Sequence, residues 1–76
     1  MSDNFERFTN CAVDVLSVDA DQVVLDATFE SLDADSLDLV ELVMALEEEF
    51  DVNVDEEELD GVLTIQAAYD LILSKL

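Results

Sequence analysis

Cys11 and Ser36 are the two residues of this 76-residue sequence that we consider as candidates for covalent chemistry. The sequence contains 21 acidic residues, a single cysteine and no histidine, and its only bases are Arg7 and Lys75. Because no histidine is available as a general base, we interpret Cys11 as a small core residue and not as a nucleophile. Ser36 follows Asp35 at the predicted start of a helix, where an attached anion would face the positive end of the helix dipole. Position alone leaves two interpretations for Ser36, an attachment site or a serine that helps to cap the helix.

Clustered carboxylates offer a second kind of chemistry, the binding of divalent cations. Asp51, Asn53 and Asp55 have the spacing of the first three ligands of an EF-hand loop. However, Glu56 occupies the position that requires glycine, and Val62 falls where a bidentate glutamate is needed. We therefore predict no dedicated metal site and expect only weak cation binding. An acidic module that binds divalent cations remains the alternative from another functional class.

The net charge of −19 restricts the possible partners. Such a field repels phosphate backbones and anionic membranes, so we expect neither nucleic acid nor membrane partners. It favours proteins with basic docking patches, although surface acids also serve solubility alone. The longest apolar run, residues 42–46, is too short to span a bilayer, and the first residues do not resemble a signal peptide. We expect a cytoplasmic monomer without catalytic activity.

Helical periodicity runs through the chain, which lacks proline and has one glycine. The pattern predicts a first helix ending near Ser17, a second over residues 35–50, a short third helix between Asp55 and Gly61, and a last helix capped by Thr64. Residues 17–35 lose the periodicity, and we expect this connection to be pinned to the core by Phe29 and Leu32. The fold class predicted is all-α: a small four-helix bundle of three longer helices and one short one, in a single domain over residues 1–76.

The helix over residues 35–50 carries two apolar stripes. At about 100° per residue, one stripe comprises Leu39, Leu42, Val43, Leu46 and Phe50 and is predicted to face the core. The other comprises Leu37, Val40 and Met44, and Glu41, Glu47 and Glu48 border it. This second stripe either packs on another helix or forms an exposed docking patch. The bordering acids favour the exposed patch, because carboxylates are rarely buried without a partner.

The sequence of residues 35–50, DSLDLVELVMALEEEF, is similar to the modification site and second helix of bacterial acyl carrier proteins. The similarity extends upstream through Phe29 and Leu32 and downstream through residues 55–57 and 64–68. It implies a 4′-phosphopantetheine arm on Ser36, with Asp35 and Leu37 beside it, transferred from coenzyme A by a phosphopantetheinyl transferase with magnesium. The thiol of the arm would carry acyl groups as thioesters to enzymes of fatty-acid or polyketide synthesis. The partner-binding residues implied are Leu37, Asp38, Val40, Glu41, Met44, Glu47 and Glu48.

The chain departs from the usual pattern of these carriers in several places, among them the absence of the lysines that many relatives carry in the first helix. Asp33 stands where the family commonly has glycine, and Val54 where it often has proline. These differences leave open whether the cargo is a fatty-acid intermediate or one of a dedicated pathway, such as an aminoacyl or peptidyl group. The glutamate-rich second helix favours partners of the fatty-acid type, because aminoacyl carriers tend to be less acidic there.

Overall fold

Three α-helices form the framework of the protein. A computed structural model describes residues 3–76, and the side chains of residues 4–76. The helices are α1 (Asp3–Leu16), α2 (Ser36–Phe50) and α3 (Ile65–Ser74), and one turn of 3-10 helix lies in each long connection, at Ala20–Gln22 and Glu56–Leu59. The prediction of a helical fold is confirmed, but the short helix predicted between residues 55 and 61 is only a 3-10 turn. No helix in the described part of the chain is long and apolar enough to cross a membrane.

The helices enclose one apolar core, and α2 buries the stripe that its periodicity predicts. The stripe of α2 buries Leu42, Val43, Leu46 and Phe50, and leaves Leu39 half-buried. From α1, the rings of Phe5 and Phe8 meet Tyr69 of α3 edge-on, with centroids 5.0 and 5.5 Å away. Helical spacing places Leu76 on the same face as Ile65 and Ile72, but α3 ends at Ser74, and Leu76 is exposed.

The connection between α1 and α2 is pinned as predicted, because Phe29 and Leu32 are both buried in the core. The sequence did not indicate which other segment of the chain forms backbone hydrogen bonds with this connection. The amide of Ile65 donates to the Ala27 carbonyl at 2.9 Å, and the Phe29 amide donates to the Leu63 carbonyl at 3.0 Å. These bonds surround a single antiparallel bridge between residues 28 and 64. They tie the connection to the start of α3. Within residues 3–76, no strand pairing extends beyond this one bridge.

Both basic residues hold helices together. The Nε atom of Arg7 donates to Glu49 Oε2 at 2.7 Å, its Nη2 atom donates to the Glu49 carbonyl, and its guanidinium lies 4.5 Å from the centroid of the Phe50 ring. Lys75, just after α3, donates to both carboxylate oxygens of Glu58 at 2.6 and 2.7 Å. Arg7 therefore fixes α1 to the carboxyl end of α2, and Lys75 fixes the end of α3 to the second 3-10 turn.

Candidate functional site

The first turn of α2 leaves the Ser36 hydroxyl available. Asp35 is the N-cap: its Oδ1 accepts from the Asp38 amide at 3.0 Å, and Asp38 Oδ2 accepts from the Asp35 amide at 3.2 Å. This reciprocal pair satisfies backbone donors that a capping serine would otherwise satisfy. Ser36 is the first helical residue and is exposed. Because the cap is made by the two aspartates, the interpretation of Ser36 as a capping residue does not apply.

A hydrogen-bonded turn over residues 29–34 lies directly before the first turn of α2. The amide of Ala34 donates to the Phe29 carbonyl at 2.9 Å, and the Asp33 amide donates to the Glu30 carbonyl at 3.1 Å. Asp33 has a φ of 59°, the left-handed conformation that such a turn needs at this point. Glycine adopts it without cost, and aspartate is one of the few other residues that tolerate it. This left-handed conformation explains why glycine is common at this position in the carriers that the sequence resembles. Asp33 adopts the left-handed conformation in this chain.

An apolar cavity of about 590 Å³ lies directly beside Ser36. Its apolar lining consists of Phe29, Ala34, Leu39, Leu59, Val62 and Leu63. Among its lining residues, Phe29 and Val62 are buried, whereas Asp35, Ser36 and Asp60 are exposed. A shallower groove of about 480 Å³ also begins at Ser36 and runs between α2 and the 3-10 turn, where Glu56 and Glu57 border it.

These surroundings fit a phosphopantetheine group. An exposed hydroxyl at the amino end of a helix suits a phosphodiester, because the unpaired amides and the helix dipole favour an anion there. The cavity beside it suits an apolar chain, since its lining is mainly aliphatic and aromatic. Sequence reasoning missed Leu59, Val62 and Leu63 as cavity residues. The apolar character of Leu59 and Val62 beside acidic residues was a signal for burial, but not for the side of α2 that they would face, and Leu63 is exposed.

The second apolar stripe of α2 is largely in solvent. Leu37 is 65% exposed and Met44 is 58% exposed, whereas Val40 between them is half-buried. The stripe therefore does not pack as a whole on α1 or α3. Glu41 and Glu48 beside it are exposed as well.

Two other acids of the same helix are partly used by the fold. Asp38 is half-buried and belongs to the helix cap. Glu47 is half-buried, and its Oε2 accepts from the Val54 amide at 2.9 Å, which fixes the connection after α2. Their carboxylates thus have structural partners within the chain, which distinguishes them from Glu41 and Glu48.

The remaining sequence candidates are not assembled into a site. Cys11 is half-buried, and burial, aided by the nearby charges of Glu49 and Asp14, raises the pKa of its thiol, so it stays protonated at neutral pH. Asp51 is the left-handed C-cap residue of α2. Among residues 3–76, no group of three or more carboxylate, thiol or imidazole side chains is placed to hold a metal ion.

Comparisons with known proteins agree with this geometry. Residues 6–72 match the family described as "Phosphopantetheine attachment site". A curated acyl carrier protein of Petrotoga mobilis is 51% identical over 73 residues, which cover 95% of this chain and 86% of that protein. The crystal structure of an acyl carrier protein from Thermotoga maritima superposes with a TM-score of 0.82 at 28% identity, covering 93% of this chain and 84% of that chain.

These matches extend over nearly the whole chain and include α2 with its capped first turn. Members of the matched family have a covalently attached 4′-phosphopantetheine and are carriers, not enzymes. They interact with acyl-processing enzymes and with a phosphopantetheinyl transferase. The helical fold, the aspartate-capped turn and the apolar cavity all suit that role. The chain belongs to the acyl carrier protein family.

Proposed function

We propose that Ser36 is the residue that bears the phosphopantetheine arm, and that Asp35 and Leu37 border the attachment point. The observation that carries this proposal is that Ser36 is exposed and lines the apolar cavity. The capped first turn holds the Ser36 hydroxyl at the amino end of α2, where the attached phosphodiester is favoured. When bound, the arm supplies a thiol that holds acyl groups as thioesters. The cavity would shelter an apolar acyl chain from water.

Mass spectrometry after incubation with coenzyme A, magnesium and a broad-specificity transferase tests the attachment. The wild-type chain should gain the mass of one phosphopantetheine, and Ser36→Ala should gain none. Ser31→Ala is the matched control, because Ser31 is also exposed and lies five positions upstream. Modification of the Ser36→Ala variant, or no modification of the wild type, would reject the assignment.

We further propose that the exposed stripe of α2 is the docking surface for partner enzymes with basic patches. The exposure of Leu37 and Met44 supports an apolar contact, and the free carboxylates of Glu41 and Glu48 support electrostatic steering. Val40 would complete the apolar contact. We include Asp38 and Glu47 at the edge of this surface, with their carboxylates shared between the fold and the partner.

Association rates with the transferase test this surface. Glu41→Lys and Glu48→Lys should slow association and weaken its dependence on salt, because rim charges act mainly on the rate of encounter. Asp14→Lys, on the exposed side of α1, changes the net charge equally and should have the smaller effect. Equal slowing by all three variants would show that only total charge matters and would contradict a specific docking surface.

For the chain as a whole, we propose a monomeric, cytoplasmic carrier formed by one domain over residues 1–76, of which residues 1–2 lie outside the described part. In this proposal the 3-10 turn Glu56–Leu59 is the short helix that completes a bundle of four. The cargo proposed is an intermediate of fatty-acid or polyketide synthesis, with aminoacyl or peptidyl intermediates as the alternative. Sedimentation should give a monomer mass, and intact mass spectrometry of protein from its native host identifies the cargo.

A further inference from the structure

The segment of residues 56–61 comprises the second 3-10 turn and the residues that follow it, and its last three residues line the cavity across from α2. Leu59 and Asp60 line both the cavity and the shallower groove, and Gly61 lines the cavity. This segment therefore separates the surroundings of Ser36 from solvent on one side. Any outward movement of this segment would widen both the cavity and the groove.

The backbone of this segment is bonded almost entirely to itself. The amide of Glu58 donates to the Asp55 carbonyl, that of Asp60 to the Glu57 carbonyl, and that of Val62 to the Leu59 carbonyl. These short-range bonds maintain the local turn, but they do not attach it to the helices. The segment is fixed at its two ends, where the Val54 amide bonds to Glu47 and where Val62 enters the core.

One side chain joins the middle of the segment to another element. Lys75 Nζ donates to both oxygens of Glu58, and Glu58 Oε2 also accepts from the Asp55 amide at 2.9 Å. Within residues 3–76, this is the only hydrogen-bonded link between residues 56–61 and an α-helix or its end. Gly61, with a φ of 86° and open space around its α-carbon, is the position where the backbone turns most freely.

We propose that the Lys75–Glu58 ion pair holds the 56–61 segment closed and thereby limits how fast an acyl chain enters and leaves the cavity, an inference that rests on attachment of the arm at Ser36. The pair acts on the segment that lines the cavity, although neither residue lines the cavity itself. Breaking it leaves the ends of the segment attached and its local turn intact. Opening then needs only rotation near Gly61 and displacement of Leu59 from its half-buried position.

Hydrogen exchange of the unmodified chain tests the first half of the proposal. Lys75→Met should speed exchange at the amides of Glu58, Asp60 and Val62 by about two- to fivefold, as expected for loss of one partly exposed ion pair. Lys75→Arg should restore slow exchange. The matched control is Arg7→Met, which removes the other base and changes the net charge equally, and it should leave the exchange rates of these three amides unchanged. Unchanged exchange in Lys75→Met would overturn the proposal.

Cleavage of thioesters by hydroxylamine tests the second half. An octanoyl thioester carried by the Lys75→Met chain should be cleaved about two- to fivefold faster than on the wild type, because the apolar chain is less often enclosed. An acetyl thioester is too short to fill the cavity and should be cleaved equally in both. If exchange increases but octanoyl cleavage does not, the pair does not control the cavity, and the proposal is wrong. Failure of the arm to attach at Ser36 would contradict the proposed function, and the exchange measurement would then decide the role of the pair separately.

Discussion

At the scale of single residues, the two apolar stripes of α2 have opposite energetic roles. Leu46 is fully buried, whereas Met44 is 58% exposed on the other side of the same helix. Leu46→Ala should lower the free energy of unfolding by about 2–5 kcal/mol, because it removes buried methyl groups and leaves a cavity. Met44→Ala should change it by no more than about 0.5 kcal/mol, as surface substitutions usually do. Thermal melts of both variants test this, and a large loss of stability in Met44→Ala would show that the stripe is core.

The carboxylate of Glu58 gives the fold a dependence on pH. Hydrogen bonds from Lys75 and from the Asp55 amide hold the pKa of Glu58 below its usual value of 4.5. Because the folded-state pKa is the lower one, the carboxylate stabilises the fold above the unfolded-state pKa, and this contribution is lost as pH falls through the folded-state pKa.

The variant Glu58→Gln removes this titration and so isolates its effect. At neutral pH the wild type should be more stable than Glu58→Gln, and the difference should shrink as the pH is lowered below 4.5. Urea unfolding of both proteins over this pH range measures the difference. A constant difference across the range would mean that the charge of Glu58 contributes nothing to folding.

At the scale of elements, the turn before α2 determines where the attachment site begins. Asp33 is left-handed with a φ of 59°, and its amide closes the turn on the Glu30 carbonyl. Asp33→Ala should lower the free energy of unfolding by about 1 kcal/mol, because a β-carbon is unfavourable in this conformation. Asp33→Gly should be at least as stable as the wild type. Asp33→Asn separates charge from conformation, since asparagine tolerates the left-handed region without a charge. Equal stability of the alanine and glycine variants would contradict this account.

At the scale of the whole molecule, uncompensated negative charge opposes folding. The net charge is −19, and both bases are already paired with glutamates. The molecule measures 29 × 25 × 19 Å, so at about 0.01 M salt, where the Debye length is roughly 30 Å, repulsion acts across all of it.

Raising the salt concentration to about 0.15 M shortens that length to roughly 8 Å and should raise the melting temperature. The two ion pairs weaken at the same time, but they are far outnumbered by repulsive pairs. Calcium at millimolar concentration should raise the melting temperature further if it binds the folded state. The double variant Glu56→Gln/Glu57→Gln should melt higher than the wild type at low salt and respond less to added salt. A melting temperature that falls as salt is added would contradict a dominant repulsion.

Features that depend on neighbours within one helical turn could be predicted from the amino-acid sequence. Periodicity identified α2 and its buried stripe, and the caps at Asp35 and Thr64 located the starts of α2 and α3. Caps and stripes are local, because a capping side chain reaches amides only two or three residues ahead. The motif around Ser36 also indicated the carrier family, which the comparisons confirmed. The role of Ser36 as the attachment site stays a proposal.

Contacts between residues that are distant along the chain could not be predicted, because they depend on how the helices pack. Periodicity cannot tell whether Leu37 and Met44 pack on another helix, because that depends on where α1 and α3 lie. The cavity beside Ser36 exists because residues 59–63 face the first turns of α2, and the bonds from residues 27–29 to residues 63–65 hold the connections together. The partners of Arg7 and Lys75 are 42 and 17 positions away along the chain, among 21 acids of similar chemistry. Packing of the apolar core brings these particular glutamates within reach, and no local pattern distinguishes them from the others.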